Sequence, residues 1–172
     1  MFFKRIKDKT SQKFLTNVLN SRNKEFRSGK IKTVGVIFDY NSFQNYDFFK
    51  LMFTDLGLGI NGIRFISLID SEKNNPNSWD AFYSKENFDW FGHCKNVEVN
   101  EFVNVNFDLL LSYYRPNSYE LNIVTALSKA NFKVGLSTED DRLHDLILDI
   151  NPKEIDVFKI ELVKYLKTLN KL

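Results

Sequence analysis

The chain contains little of what marks disulfide scaffolds and disordered proteins. It has one cysteine, three prolines and seven glycines in 172 residues. The single Cys94 cannot form an internal disulfide, which favours a reducing compartment. Scarce glycine and proline, together with seventeen phenylalanines, argue against disorder and low complexity. The composition therefore indicates an ordinary globular fold, and the length suits one domain with a single core.

Long apolar runs are also missing. No run approaches the ~20 residues that a membrane-spanning helix needs. The opening MFFKRIKDKTSQKF has neither the apolar core nor the small-residue cleavage site of a secretory signal. These absences predict a cytoplasmic protein.

Charge is distributed unevenly along the chain. Residues 1–32 carry ten basic residues against two acidic ones, whereas the remaining 140 residues carry 14 basic against 20 acidic. A basic head therefore precedes a mildly acidic body.

Apolar patterning predicts alternating helices and strands. The predicted strands are 33–39, 63–70, 107–114, 132–137 and 145–150, and the predicted helices are 2–21, 43–56, 97–104, 117–130 and one that opens at Pro152. This order predicts a single three-layer α/β domain, Rossmann-like or flavodoxin-like, with about five mostly parallel strands behind a basic N-terminal helix. Residues 1–30 are assigned to the basic helix and its connector, and 31–172 to the α/β domain. In the numbering of the predicted strands, the candidate orders are 2-1-3-4-5 and 3-2-1-4-5.

The direction of the last strand is open at this point. Only residues 138–144, within the acidic stretch STEDDRLHDL (137–146), join the last two predicted strands, and a parallel crossover usually needs about a dozen residues or more. Either the last strand runs antiparallel at the sheet edge, or residues 138–144 form one helical turn. In such a turn Asp140 and His144 would be a weak i,i+4 pair. In both cases the stretch is predicted to be a charged connector rather than a catalytic cluster.

Several segments together resemble a known group of sequences. They are the basic opening helix, FDWFG (88–92), FDLLLSYY (107–114), ALSKANFKVGL (126–136), DLILDI (145–150) and the closing YLKTLNKL. On these residues the chain resembles an uncharacterised small-protein family, a domain of unknown function found mainly in Bacteroidetes-type bacteria. The resemblance implies a shared fold over nearly the whole chain. It implies no activity, because the matching segments are core strands and helix ends.

Polar residues follow the first three predicted strands. Ligands of open α/β sheets bind at the carboxyl ends of strands, a rule that selects Asp39, Asp70, Tyr114 and Arg115. Two strand-end aspartates could hold Mg²⁺ or a ribose hydroxyl, although such residues also form turns and caps. One hypothesis is therefore a small-molecule or nucleotide-processing enzyme with Asp39, Asp70 and Arg115 in its site.

Other catalytic and cofactor signatures are missing. DYNSFQN follows the first strand without a glycine, which argues against a P-loop and a dinucleotide site. His93, Cys94 and His144 lack the spacing of zinc ligands. Neighbours such as His93 and Cys94 point to opposite faces of a strand, which argues against a catalytic Cys–His pair. The sequence predicts no metal, no cofactor and no catalytic residue. It predicts a surface histidine at 93 and a half-buried thiol at 94.

An aromatic loop and the basic helix support the other hypothesis. The loop, 79–91, contains Trp79, Phe82, Tyr83, Phe88, Trp90 and Phe91. Such rings could stack on bases, anchor a protein partner, or pack over a sheet edge. We single out Trp79, Trp90 and Phe91 as candidate contacts.

The basic helix brings five candidate contacts of its own, Lys4, Arg5, Lys7, Lys9 and Lys13. They could meet RNA phosphates or an anionic membrane surface, or they could lie in water while the helix packs on the domain. The polar gap at 9–13 ranks RNA or an acidic protein above lipid. The first hypothesis is therefore a non-enzymatic interaction protein that uses the helix and the aromatic loop, and it ranks above the enzyme.

Overall fold

The fold is a single parallel sheet covered by helices on both faces. A computed structural model describes residues 2–22, 29–71, 81–115, 118–136 and 140–172, with the side chains of 2–7 left undescribed. The described residues contain the strands β1 (Val34–Asp39), β2 (Ile63–Ile69), β3 (Ala81–Ser84), β4 (Leu109–Tyr113), β5 (Lys133–Leu136) and β6 (Leu146–Leu148). They contain the helices α1 (Phe2–Asn20), α2 (Asp47–Asp55), α3 (Val97–Val103), α4 (Tyr119–Leu127) and α5 (Ile155–Thr168). Short 3-10 turns lie at Ile60–Gly62 and Lys85–Asn87.

The strand order is β3-β2-β1-β4-β5-β6, and every pairing is parallel. The five strands predicted from the sequence keep the order 2-1-3-4-5 among themselves. The sixth strand, β3, lies outside β2 and completes the Rossmann order 3-2-1-4-5-6. The fold class is confirmed, and the count of five strands was one too few.

Two apolar layers fill the space between the sheet and the helices. The central strands β1 and β4 are apolar and buried on both faces, as parallel strands between helices must be. Side chains of α2 and α5 pack on one face of the sheet, around Phe49, Phe158 and Leu162. Side chains of α1, α3 and α4 pack on the other, around Leu15, Phe102 and Leu121.

Local signals set the helix ends. Ser118 accepts a hydrogen bond from the backbone N–H of Leu121 and caps α4. Helix α2 begins at Asp47, four residues later than the predicted start at residue 43. Gly57 ends α2 with a φ of 89°, a left-handed conformation that glycine adopts at little cost.

Strand β6 runs parallel to β5, with Gly135 paired to Ile147. The antiparallel alternative was therefore wrong. β5 and β6 have only four and three residues. The chain between them therefore has to return only roughly 13 Å along the strand direction. In the described part of that connection, Leu143 N–H donates to the carbonyl of Asp140 at 3.2 Å. The described residues 140–144 form a tight turn and no α-helix, while residues 138 and 139 of the predicted helical turn lie outside the described ones.

Helix α1 is packed on the domain. It contacts α4, and its Leu15 and Leu19 are buried in the second apolar layer. Within the described part of the chain, no helix is both long enough and apolar enough to cross a membrane.

Candidate functional site

The strand-end residues lie along one edge of the sheet. The parallel pairing of β1 with β2 and β4 places Asp39, Asp70 and Arg115 at the carboxyl ends of three neighbouring strands. The Asp39 carboxylate accepts the backbone N–H of Asn41 at 3.1 Å and the hydroxyl of Ser42 at 2.6 Å. Both of its oxygens therefore stabilise the turn that follows β1.

An aromatic ring fills the space behind that turn. Phe43 packs against Tyr113 and Phe49 with ring centroids 4.9 and 5.4 Å away. The loop after β1 thus places a phenylalanine over the first apolar layer, where a dinucleotide-binding fold has its glycine-rich phosphate loop.

Arg115 and Tyr114 are engaged within the fold as well. Arg115 forms an exposed ion pair with Asp149, beyond β6. The Tyr114 hydroxyl is buried against α4, where it bonds Thr125 at 2.8 Å and Asn122 at 3.2 Å. Burial raises the pKa of Tyr114 well above its ordinary value. A neutral, hydrogen-bonded phenol of this kind stabilises the sheet–helix layer.

The aromatic loop divides into core and surface residues. Tyr83 and Phe88 are buried in the second apolar layer. Trp90 is 44% exposed and Phe91 58% exposed. Trp79, the third candidate of this loop, lies outside the described residues.

Residues 88–94, which we call the aromatic turn, are held in one conformation by their own hydrogen bonds. The Asp89 carboxylate accepts the backbone N–H groups of Phe91 at 2.8 Å and His93 at 3.0 Å. Gly92 has a φ of 91°, and a Cβ at this position would lie 2.1 Å from the Tyr119 hydroxyl oxygen. Only glycine fits here, and the fixed turn holds Trp90 and Phe91 outward.

Helix α1 carries the basic candidate contacts. Lys9 and Lys13 are exposed, one helical turn apart. Lys4, Arg5 and Lys7 also belong to α1, and their side chains lie outside the described ones.

The aromatic turn packs directly on α1. His93 meets the ring of Phe14 edge-on, with centroids 4.5 Å apart, and Phe91 lies 6.4 Å from His93. A Cβ on Gly92 would lie 3.2 Å from the Cα of Ser11. The structure therefore packs the aromatic turn against the basic helix, two segments that the sequence singled out separately. We call Lys9, Lys13, Trp90, Phe91 and His93 the α1–turn surface.

A buried polar cluster lies just beyond the C-terminal end of α1 and was not predicted from the sequence. Arg22 donates to the Asp145 carboxylate at 2.6 Å, and both side chains are nearly buried. Arg22 also donates to the backbone carbonyls of Arg142 and Leu143. The acidic stretch between β5 and β6 is thus the anchor of α1, and not simply a solvated connector.

Lys133 belongs to the same cluster and is 1% exposed. Its ammonium donates to the carbonyls of Thr125 at 2.7 Å and Ala126 at 3.1 Å, which lie in the last turn of α4 where helix carbonyls lack partners. Burial and the nearby charge of Arg22 together lower the pKa of Lys133 to about 7. A lysine inside the apolar strand FKVGLS was the signal that could have revealed this cap.

His144 is 3% exposed and lies against Gly135. Within the described part of the chain neither ring nitrogen has a hydrogen-bond partner, and Asp140 pairs with Arg142 rather than with His144. Burial lowers the pKa of His144 to about 3, helped by the charges of Lys133 and Arg22. The imidazole is therefore neutral. A glycine inside a strand is a sequence signal for such a close approach.

Possible metal ligands, the pair His93 and Cys94, and a cavity also bear on the chemistry of the chain. Among the described residues, no group of three or more His, Cys, Asp or Glu side chains could hold a metal ion. His93 is exposed and Cys94 half-buried, as predicted. A cavity of about 330 Å³ lies at the amino ends of β2 and β3, and its lining includes Lys50, Arg64, Glu98 and Glu101. It is at the opposite edge of the sheet from Asp39 and Arg115.

Comparison with known proteins gives one match. Residues 7–169 match the model of a family described as a family of unknown function, DUF6913. Searches of curated proteins and of solved structures found no match.

Proposed function

The chain belongs to the family of unknown function DUF6913, which brings no activity with it, and from the geometry we propose an interaction protein. Its α1–turn surface captures a polyanionic partner, either RNA or an acidic protein. The contact of His93 with Phe14 carries the proposal, because it joins the exposed rings of the turn to the basic helix.

Three properties of the surface support this function. The cations Lys9 and Lys13 are exposed and can meet anionic groups. Trp90 and Phe91 offer apolar contact area on the turn that packs against the same helix. The hydrogen bonds of Asp89 fix the turn before any partner arrives, which lowers the entropy cost of binding.

The enzyme hypothesis has less support from the same structure. Asp39 already accepts two hydrogen bonds within its own turn, and Arg115 is paired with Asp149. Asp70 is exposed at the end of β2. A ligand at this edge would have to displace those contacts.

Binding of a simple polyanion tests the proposal. We expect the full chain to bind a fluorescein-labelled heparin fragment, measured by anisotropy, with an affinity that falls as salt rises from 50 to 200 mM. Reversing two charges, Lys9→Glu with Lys13→Glu, should weaken binding about tenfold or more, because attraction becomes repulsion.

The matched control reverses two exposed lysines elsewhere. Lys153→Glu with Lys167→Glu makes the same change in net charge, just before α5 and in its last turn. It should weaken binding far less. Equal losses for the two double variants would show attraction to net charge alone and would contradict the proposed surface.

A further inference from the structure

Resting on the proposed function, we propose that the polyanionic partner is single-stranded nucleic acid. Its bases stack on Trp90 and Phe91, and its phosphates lie on α1. Each nucleotide of a strand contains a base and a phosphate. The α1–turn surface offers rings for the bases and cations for the phosphates.

The two rings favour bases over carboxylates. An acidic peptide is held by cations and has no flat face to match an exposed indole and phenyl ring. A base has such a face whatever its identity, so stacking on aromatic side chains is tolerant of sequence. Trp90 and Phe91 keep about half of their area exposed on a turn whose backbone is fixed.

The cations are spaced for a strand. Lys9 and Lys13 lie about 6 Å apart along the axis of α1, a separation that neighbouring phosphates of an extended strand can span. A strand whose bases stack on the rings can then place successive phosphates at Lys9 and Lys13.

A duplex fits this surface less well. In a duplex the bases stack on each other, and only unstacked bases can meet a protein ring. Burial of Leu15 and Leu19 also holds α1 on the domain. The helix therefore cannot leave the domain to enter a groove of a duplex.

Four labelled probes test the proposal by anisotropy. They are a mixed-sequence RNA strand of about 12 nucleotides, an abasic phosphodiester strand of equal length, the matching RNA duplex, and poly-glutamate. We expect the RNA strand to bind about tenfold more tightly than the abasic strand and the duplex, because only it can stack. A DNA strand of the same sequence should bind as well, since stacking does not require the 2′-hydroxyl.

Variants of the rings assign the effect. Trp90→Ala and Phe91→Ala should each remove most of the preference for the RNA strand over the abasic strand, while Trp90→Phe keeps most of it. Ile160→Ala, which removes an exposed side chain from α5 on the other face of the sheet, should change nothing. Unchanged melting temperatures would show that the variants are folded.

Tryptophan emission gives a second readout. The chain has two tryptophans, so a Trp79→Phe variant leaves Trp90 as the reporter. Its emission should be quenched by the RNA strand and left unchanged by the abasic strand.

Failure of this inference differs from failure of the proposed function. Equal binding of the RNA and abasic strands, with no effect of Trp90→Ala, would overturn base stacking. Binding of poly-glutamate with that result would leave the polyanion surface standing, with an acidic protein as the partner. If neither heparin nor any of the four probes bound, both proposals would fall.

Discussion

At the residue scale, Gly135 is required because the imidazole ring of His144 packs directly against its Cα. A Cβ at this position would be 2.3 Å from two atoms of the His144 imidazole. Gly135→Ala must therefore push the buried ring or the strand aside. We expect it to lower the free energy of unfolding by about 1–3 kcal/mol, measured by urea denaturation.

Two variants check the cause. Gly59→Ala adds the same methyl group where no heavy atom lies within 4 Å and the backbone is not left-handed, so stability should hardly change. His144→Ala in the Gly135→Ala background should recover stability relative to the sum of the two single losses. Additive losses would show that the ring is not what Gly135 accommodates.

His144 also makes stability depend on pH. Its folded-state pKa is about 3, against about 6.5 in the unfolded chain. Between these values the unfolded chain binds a proton that the folded chain does not, so stability is full above pH 6.5 and falls as the pH drops toward 3. Between pH 6.5 and 4.5 we expect a loss of roughly 2–3 kcal/mol from this residue, measured by urea denaturation.

The chain provides its own control, since it has only one other histidine. His144→Leu should flatten the loss of stability over this pH range, while His93→Gln, at an exposed position, should keep it. An unchanged pH dependence in His144→Leu would mean that other groups cause it.

At the scale of elements, the sequence predicted most of the fold from apolar patterning. Runs such as TVGVIFD and FDLLLSYY are apolar throughout because β1 and β4 are covered on both faces. Strand β3 escaped prediction because it has four residues and pairs with β2 alone. Its short aromatic sequence has no periodicity that distinguishes it from a loop.

The direction of β6 could not be predicted for a physical reason. The length rule for crossovers assumes strands of ordinary length, whereas β5 and β6 are so short that a tight turn suffices. The direction of β6 follows from its pairing with β5, which the composition of the loop does not reveal.

Helix α1 depends on an anchor that no local pattern reveals. Arg22→Met would leave the nearly buried carboxylate of Asp145 without its cation. Breaking a buried pair in this way costs about 3 kcal/mol or more, and α1 amides near Leu15 and Leu19 should lose hydrogen-exchange protection before those of β1.

Arg142→Met is the matched control. Arg142 forms a more exposed pair with Asp140 and also touches the end of α1 through Asn20. Exposed pairs contribute about 1 kcal/mol or less, so α1 should stay protected. Equal loss of protection in both variants would show that Arg22 is not the specific anchor.

At the scale of the whole molecule, the sequence predicted the two segments that form the α1–turn surface but did not predict that they contact each other. Basic charge in α1 and aromatic residues in 79–91 are visible in the sequence, whereas the packing of His93 on Phe14 depends on how α1 and α3 share one face of the sheet. The buried cluster was missed because Arg22 and Asp145 are 123 residues apart. Such pairs arise only from the folded topology.

The central claim is that α1 and the aromatic turn act as one binding surface. Backbone amide shifts of the isotopically labelled chain, followed by NMR during titration with a single-stranded RNA, test it most directly. We predict that the shifted amides cluster in the exposed face of α1 and in residues 88–94. Shifts that cluster instead around Asp39, Asp70 and Arg115 would contradict the claim and place the binding site at the carboxyl edge of the sheet.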